Sequence, residues 1–173
     1  MIRLRTVAAL FLLWALQVSV FAHLRPFGVA PDVMLVAAVI GGIVGGGEYG
    51  ARNGFAAGLL LDLVIPGPFG LAAGLYGTFG YLVGQLSSTV DSEDPRVMPT
   101  LIWLSAFLAT LGYGFALGVL GSEQFVAWGL LWTALAVAFY AIPLALLVRA
   151  LYGWVHADPN AAPRTEPARN MVN

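Results

Sequence analysis

The chain has 173 residues, of which 60% are hydrophobic and only 10% are charged, and its mean hydropathy is +0.85. A water-soluble domain of this length could not bury so much apolar surface, so the composition indicates a membrane protein. The net charge of −1 provides no basic surface for nucleic acid, and the lack of cysteine excludes disulfides and leaves zinc and iron–sulfur sites without their usual ligands.

Six apolar runs along the chain approach the ~20 residues that a membrane-spanning helix needs. These runs lie at roughly residues 7–22, 32–47, 51–65, 68–87, 99–121 and 125–152. The second and third runs are short, so they must thin the bilayer, tuck into the bundle or extend into their flanking loops. The sequence therefore predicts an all-α polytopic membrane bundle of about six transmembrane helices.

The polar residues predict the domain limits and the orientation. We expect a single transmembrane domain at residues 1–156 and a disordered cytoplasmic tail at 157–173, because the tail is polar and rich in proline and alanine. The chain contains no lysine, and cytoplasmic termini would place every arginine except Arg25 on the cytoplasmic side. This asymmetry predicts that both termini are cytoplasmic.

The first run has two interpretations. The basic start "MIRLRT" and the apolar stretch that ends at Ala22 are typical of a signal peptide with a small-residue cleavage site. We favour an uncleaved anchor, because the apolar run is long and further spans follow it. Cleavage would leave five spans and the same topology for the rest of the chain.

The second run begins with a capping signal and ends in a glycine-rich segment. Asp32 follows a proline and precedes apolar residues, which predicts that it is the N-cap of a helix. The segment "GGGEYG" contains a G-x-G-x-x-G pattern at Gly45, Gly47 and Gly50. It follows a membrane helix and not a strand, so it predicts a turn between the second and third spans and not a dinucleotide site.

Asp62 is a carboxylate inside the third apolar run, about one helical turn before the corner at Pro66, Gly67 and Pro68. Pro68 suits the first position of the fourth helix. The unpaired N–H groups of that helix start, near residues 69–71, could hold the carboxylate and fix the two helices together. In the alternative, Asp62 faces a cavity or a partner. We give the two interpretations equal weight.

Small residues recur at helical spacing on the third and fourth helices. These residues are Gly54 and Gly58 on the third helix and Ala73, Gly77, Gly80 and Gly84 on the fourth. Such stripes allow two helix backbones to approach closely in lipid, which predicts tight packing of this helix pair. In the last run, Pro143 predicts a kink, after which "VRALYGW" would run along the membrane surface.

No arrangement of side chains in the sequence is typical of catalysis. Asp32 lies at a span boundary, Asp62 is otherwise alone in the spans, and His156 lies beyond the last run. No serine stands beside a plausible base. We therefore expect no enzymatic activity, no metal and no cofactor.

The stretch from "PDVMLV" through "GFAAGLLLDLVIPGPFGLAAGLYGTFGYLVGQ" resembles the bacterial rod shape-determining protein MreD family. The family similarly has Pro-Asp before an apolar helix, then Gly-Phe, a second Gly and an Asp, followed by Gly-Pro, a bulky apolar residue and Gly. The matching positions are Pro31, Asp32, Gly54, Phe55, Gly58, Asp62, Gly67, Pro68 and Gly70. The resemblance covers roughly residues 31–85.

The resemblance implies a non-enzymatic component of the machinery that elongates the side wall, in the bacterial cell membrane. Its implied partners are a bitopic MreC-like protein and, through it, MreB, the glycosyltransferase RodA and a class B penicillin-binding protein. The candidates for structural or partner contacts are Asp32, Gly54, Gly58, Asp62, Gly67, Pro68 and Gly70.

MreD proteins are also similar in architecture to the substrate-binding subunits of energy-coupling-factor vitamin transporters, and this similarity supplies the alternative function. A vitamin-binding subunit needs a pocket near the outer surface that is lined by several convergent polar groups. The candidates for such a pocket are Asp62, Arg25, His23, Tyr76 and Tyr81. They are few and scattered, which favours the scaffold.

Overall fold

The computed structural model describes residues 2–90, 96–121 and 127–156, and these ranges contain helices and no strands. The expected tail at 157–173 lies outside the described residues, as does part of the loop after the fourth apolar run. The long helices are α1 (Ile2–Leu16), α2 (Val33–Asp62), α3 (Leu71–Thr89), α4 (Val97–Val119) and α5 (Ala127–His156). The expected all-helical class is therefore confirmed.

Four helical segments of the described chain are long and apolar enough to cross a membrane. These segments are Leu4–Phe21, Val33–Asp62, Val97–Val119 and Trp128–Gly153. The first includes a π-helical turn, Gln17–Phe21, that continues α1 without a break, and a short 3-10 turn at Pro26–Gly28 follows it. Helix α3 is not among the four, since glycines and polar residues interrupt its apolar sequence.

Helix α2 is a helical hairpin that reverses direction at Gly46. The backbone of Gly46 has φ 79° and ψ 177°, a conformation that is open almost only to glycine. Beyond it, the Asn53 amide nitrogen donates to the carbonyl of Ala37 at 2.9 Å, whereas residues 16 apart in a straight helix are about 24 Å apart. The second and third predicted runs are therefore the two arms of this hairpin, at 33–45 and 47–62.

The first arm of α2 is the centre of the molecule. Every residue from Val33 to Ile40 is at most 2% exposed, so this segment is covered on all its faces. A helix that is apolar all round is typical of such a central position. The short second run is therefore buried inside the bundle, which is one of the three arrangements expected for an apolar run of this length.

Helix α3 packs on both arms of α2 with backbone in contact with backbone. A Cβ atom added to Gly54 would lie 2.2 Å from the carbonyl oxygen of Tyr76, and one added to Gly58 would lie 2.4 Å from that of Ala72. The predicted tight packing of this pair is confirmed. The first arm also takes part, because a Cβ atom on Gly42 would lie 2.3 Å from the oxygen of Gly80.

The prediction for the end of the last helix is wrong. Helix α5 continues through Pro143 to His156, and Val148, Tyr152 and Val155 are almost fully buried in the core. The hydroxyl of Tyr152 accepts a hydrogen bond from the Asn53 amide of α2, so the segment "VRALYGW" packs against the bundle and not along the membrane surface. A proline removes one backbone donor, and the packing on either side of it keeps this helix continuous.

Candidate functional site

Asp62 is the last residue of α2, and its carboxylate accepts three hydrogen bonds from the start of α3. The backbone N–H of Gly70 donates to Oδ2 at 3.0 Å, that of Ala73 donates to Oδ2 at 3.1 Å, and that of Ala72 donates to Oδ1 at 3.2 Å. The first N–H groups of a helix have no partner within the helix, and the N-cap here is Gly70, which has no side chain. Asp62 therefore caps α3 from the neighbouring helix.

The corner between the two helices differs in detail from its prediction. Helix α3 begins at Leu71 and not at Pro68, whose carbonyl oxygen accepts from the Leu71 N–H at 3.2 Å. Gly70 has φ +94° and turns the chain into the helix. The donors to Asp62 consequently lie at residues 70, 72 and 73, whereas the sequence predicted residues 69–71, and Phe69 is 68% exposed.

Asp32 begins α2, at the same end of the hairpin as Asp62. One carboxylate oxygen accepts from the N–H of Leu35 at 2.9 Å, so the predicted N-cap is observed. The other oxygen accepts a hydrogen bond from the hydroxyl of Tyr76 on α3. We refer to Asp32, Asp62, Tyr76 and the start of α3 as the corner cluster.

Gln17 is a buried amide next to the corner cluster, and it is not among the residues predicted from the sequence. Its Oε1 accepts from the Val33 N–H at 2.9 Å, and its Nε2 donates to the Pro31 carbonyl at 3.0 Å. Together with Asp32 it satisfies backbone groups at the start of α2 that have no partner within that helix. The available signal was a single amide in an otherwise apolar run, since such a group needs hydrogen-bond partners inside a bundle.

A second polar contact crosses the bundle about midway along the hairpin. Asn53 is 4% exposed, and its amide nitrogen donates to Ala37 and to Tyr152. Its Oδ1 has no partner among the described residues. Helix α1 is joined to α2 by a bond from Trp14 Nε1 to the Leu60 carbonyl at 2.8 Å. These contacts fix the hairpin against α1 and α5.

The seven candidate positions all lie where α2 meets α3. Gly54 and Gly58 lie along the contact between the helices, and Asp32 reaches α3 through Tyr76. The remaining four candidates form or hold the corner: Asp62, Gly67, Pro68 and Gly70. A Cβ atom on Gly67 would lie 3.3 Å from the hydroxyl oxygen of Tyr113 on α4.

Of the residues considered for a vitamin pocket, Asp62 and Tyr76 lie together in the corner cluster, where their polar groups bond to α3 and to Asp32. Arg25 donates to the carbonyl of Ala22 at 3.2 Å, and Tyr81 accepts from Gln85 at 2.9 Å, further along α3. The carboxylate of Asp62 accepts hydrogen bonds from three backbone N–H groups at the start of α3. No group of three potential metal-binding side chains occurs in the part of the chain that the structure describes. The corner cluster joins both termini of α2 to the start of α3.

Comparison with known proteins supplies one match. The family model described as rod shape-determining protein MreD matches residues 1–155. No curated protein and no solved structure matches the chain.

Proposed function

This chain belongs to the family of the rod shape-determining protein MreD, and we propose that it is a non-enzymatic scaffold of the machinery that elongates the cell wall. In this role it binds an MreC-like bitopic protein in the bacterial cell membrane and, through it, is linked to MreB, RodA and a class B penicillin-binding protein. The family model matches residues 1–155, and membership of this family indicates a membrane protein that takes part in rod-shape determination. The partners are our proposal.

The proposed topology has six crossings and cytoplasmic termini. The two arms of α2 run in opposite directions from Gly46, which supports two crossings within that single helical element. The other four crossings are α1, α3, α4 and α5. This arrangement places Arg52, Arg96 and Arg149 on the cytoplasmic side and Arg25 outside, in accord with the positive-inside rule.

The observation that carries the scaffold proposal is the use of the corner cluster for internal bonds. The carboxylates of Asp32 and Asp62, which are among the positions that match the family, both accept hydrogen bonds from α3. They therefore hold α2 and α3 together as one fixed unit. A rigid unit of this kind presents its outer helix faces at a constant geometry, which a binding partner requires. A vitamin-binding subunit, in contrast, needs several polar groups directed into a pocket.

Co-purification tests this function. The full chain, expressed with an affinity tag together with its MreC-like protein, should retain that protein in mild detergent at a fixed ratio. A tagged unrelated six-helix membrane protein is the control. Recovery of a small molecule or an ATPase module in place of the MreC-like protein would support the transporter subunit and reject the scaffold.

A further inference from the structure

A cleft lies between three helices, at the end of the bundle opposite the corner cluster. Its volume is about 420 Å³, and its walls come from the first arm of α2, the start of α4 and the second half of α5. The walls include Ile40, Ile43, Met98, Ile102 and Ile142. This volume is within the ~300–1,000 Å³ that ligand sites occupy.

The walls are apolar except at one residue. Among the described residues that line the cleft, Arg149 is the only one with a polar side chain. Ile142, Leu146 and Arg149 lie on one face of α5 at helical spacing, and all three are exposed. The cleft therefore opens to the surface of the bundle, with a guanidinium group at its end nearest the helix terminus.

The position of Arg149 fits the boundary of the membrane. The apolar segment of α5 ends at Gly153, four residues beyond Arg149, and a long basic side chain near such an end extends to the headgroup region. In the proposed topology this end is cytoplasmic, so the orientation of the inference rests on the proposed function. The cleft itself then lies at the depth of the acyl chains in the cytoplasmic leaflet.

Among the described residues that line the cleft, no carboxylate lies beside the guanidinium group of Arg149. Of the carboxylates in the described residues, Asp32 and Asp62 lie at the opposite end, and Glu48 contacts Arg52 at 2.6 Å. An apolar cleft with a single cation at its polar end is complementary to a molecule with an apolar chain and an anionic head.

We propose that this cleft binds an anionic phospholipid of the cytoplasmic leaflet, with an acyl chain between α2, α4 and α5 and the phosphate on Arg149. The apolar walls supply dispersion contacts to the chain, and the guanidinium selects the charge of the headgroup. A zwitterionic lipid fills the same cleft without this selection.

Native mass spectrometry of the full chain, taken from nanodiscs with equal amounts of phosphatidylglycerol and phosphatidylcholine, tests the proposal. The wild type should retain phosphatidylglycerol preferentially, and Arg149→Gln should lower this preference about fivefold. Arg25→Gln, which removes an arginine at the other end, should leave it unchanged. Equal retention of the two lipids by the wild type, or an unchanged preference in Arg149→Gln, would overturn the proposal.

Two further measurements identify the occupant. A photoreactive residue at position 146 should cross-link to lipid; cross-linking instead to a second copy or another polypeptide rejects the lipid. Glycerol phosphate, which has the headgroup without the chains, should not displace phosphatidylglycerol, and displacement would reject the acyl-chain site. Capture of the MreC-like protein is measured separately, so a failure of lipid binding is distinguishable from a failure of the scaffold function.

Discussion

The hydroxyl of Tyr76 donates to the carboxylate of Asp32, a residue 44 positions earlier in the chain. Tyr76 lies about one helical turn beyond the N–H groups that donate to Asp62. Asp32 begins α2 and Asp62 ends it, so the first turns of α3 are bound to both termini of α2, which lie together at one end of the hairpin. Tyr76 is buried in the protein, so water does not compete for its hydrogen bond, and such bonds hold the helices in register.

Removal of the Asp62 carboxylate should destabilise the bundle. Asp62→Ala leaves the three N–H groups at the start of α3 without their acceptor, and loss of a helix cap costs about 0.5–2 kcal/mol. Thermal unfolding in detergent should show a lower midpoint, with a smaller decrease for Asp62→Asn, which keeps one acceptor oxygen. Phe69→Ala is the control, since this neighbouring side chain is exposed.

The opposite result has a specific meaning for Asp62. If Asp62→Ala unfolds at the wild-type temperature but no longer retains the MreC-like protein, the carboxylate contacts the partner and the capping interpretation is rejected.

The hydrogen bond between Tyr76 and Asp32 should contribute measurably to stability. Tyr76→Phe removes the hydroxyl and keeps the ring, so the expected loss is about 0.5–1.5 kcal/mol in the free energy of unfolding. Tyr81→Phe on the same helix is the matched control, because Tyr81 is exposed. A double-mutant cycle with Asp32→Asn should give a coupling energy that differs from zero; additive effects would contradict the bond.

Contacts of glycine backbones should make α2 intolerant of even one methyl group. Gly54→Ala places a Cβ atom 2.2 Å from the Tyr76 carbonyl oxygen, so α2 and α3 must separate, at a cost of about 1–3 kcal/mol. Gly74→Ala is the control on α3, since its added Cβ atom meets nothing within 4 Å. Equal unfolding temperatures for the two variants would show that the helices are not in close contact.

The turn at Gly46 should depend on backbone conformation alone. A Cβ atom at this position meets nothing within 4 Å, but φ 79° and ψ 177° are strained for any other residue. Gly46→Ala should therefore cost about 1–3 kcal/mol. Gly153→Ala, also without a steric contact but inside α5, should be neutral or slightly stabilising. Unfolding in detergent compares the two, and equal stability would contradict the hairpin turn.

The sequence was sufficient to predict features that depend on neighbouring residues. The apolar runs predicted the helices because their length and hydropathy are local properties, and the glycine-rich segment predicted the turn at Gly46. Asp32 as an N-cap depends only on the residues that follow it. Asp62 lies eight residues before Gly70, within one helix-turn-helix unit, so its bonds to the start of α3 were also predictable, although the helix start was misplaced by three residues.

Tertiary structure alone decided which residues from distant parts of the chain meet. The partnerships of Tyr76 with Asp32, Gln17 with Val33 and Asn53 with Tyr152 each depend on how one helix is rotated and shifted against another. Hydropathy carries little information about this rotation in a chain that is apolar on most faces, because lipid and protein interior are equally acceptable to an apolar side chain. Close packing of backbones at small residues and a few buried polar bonds determine it.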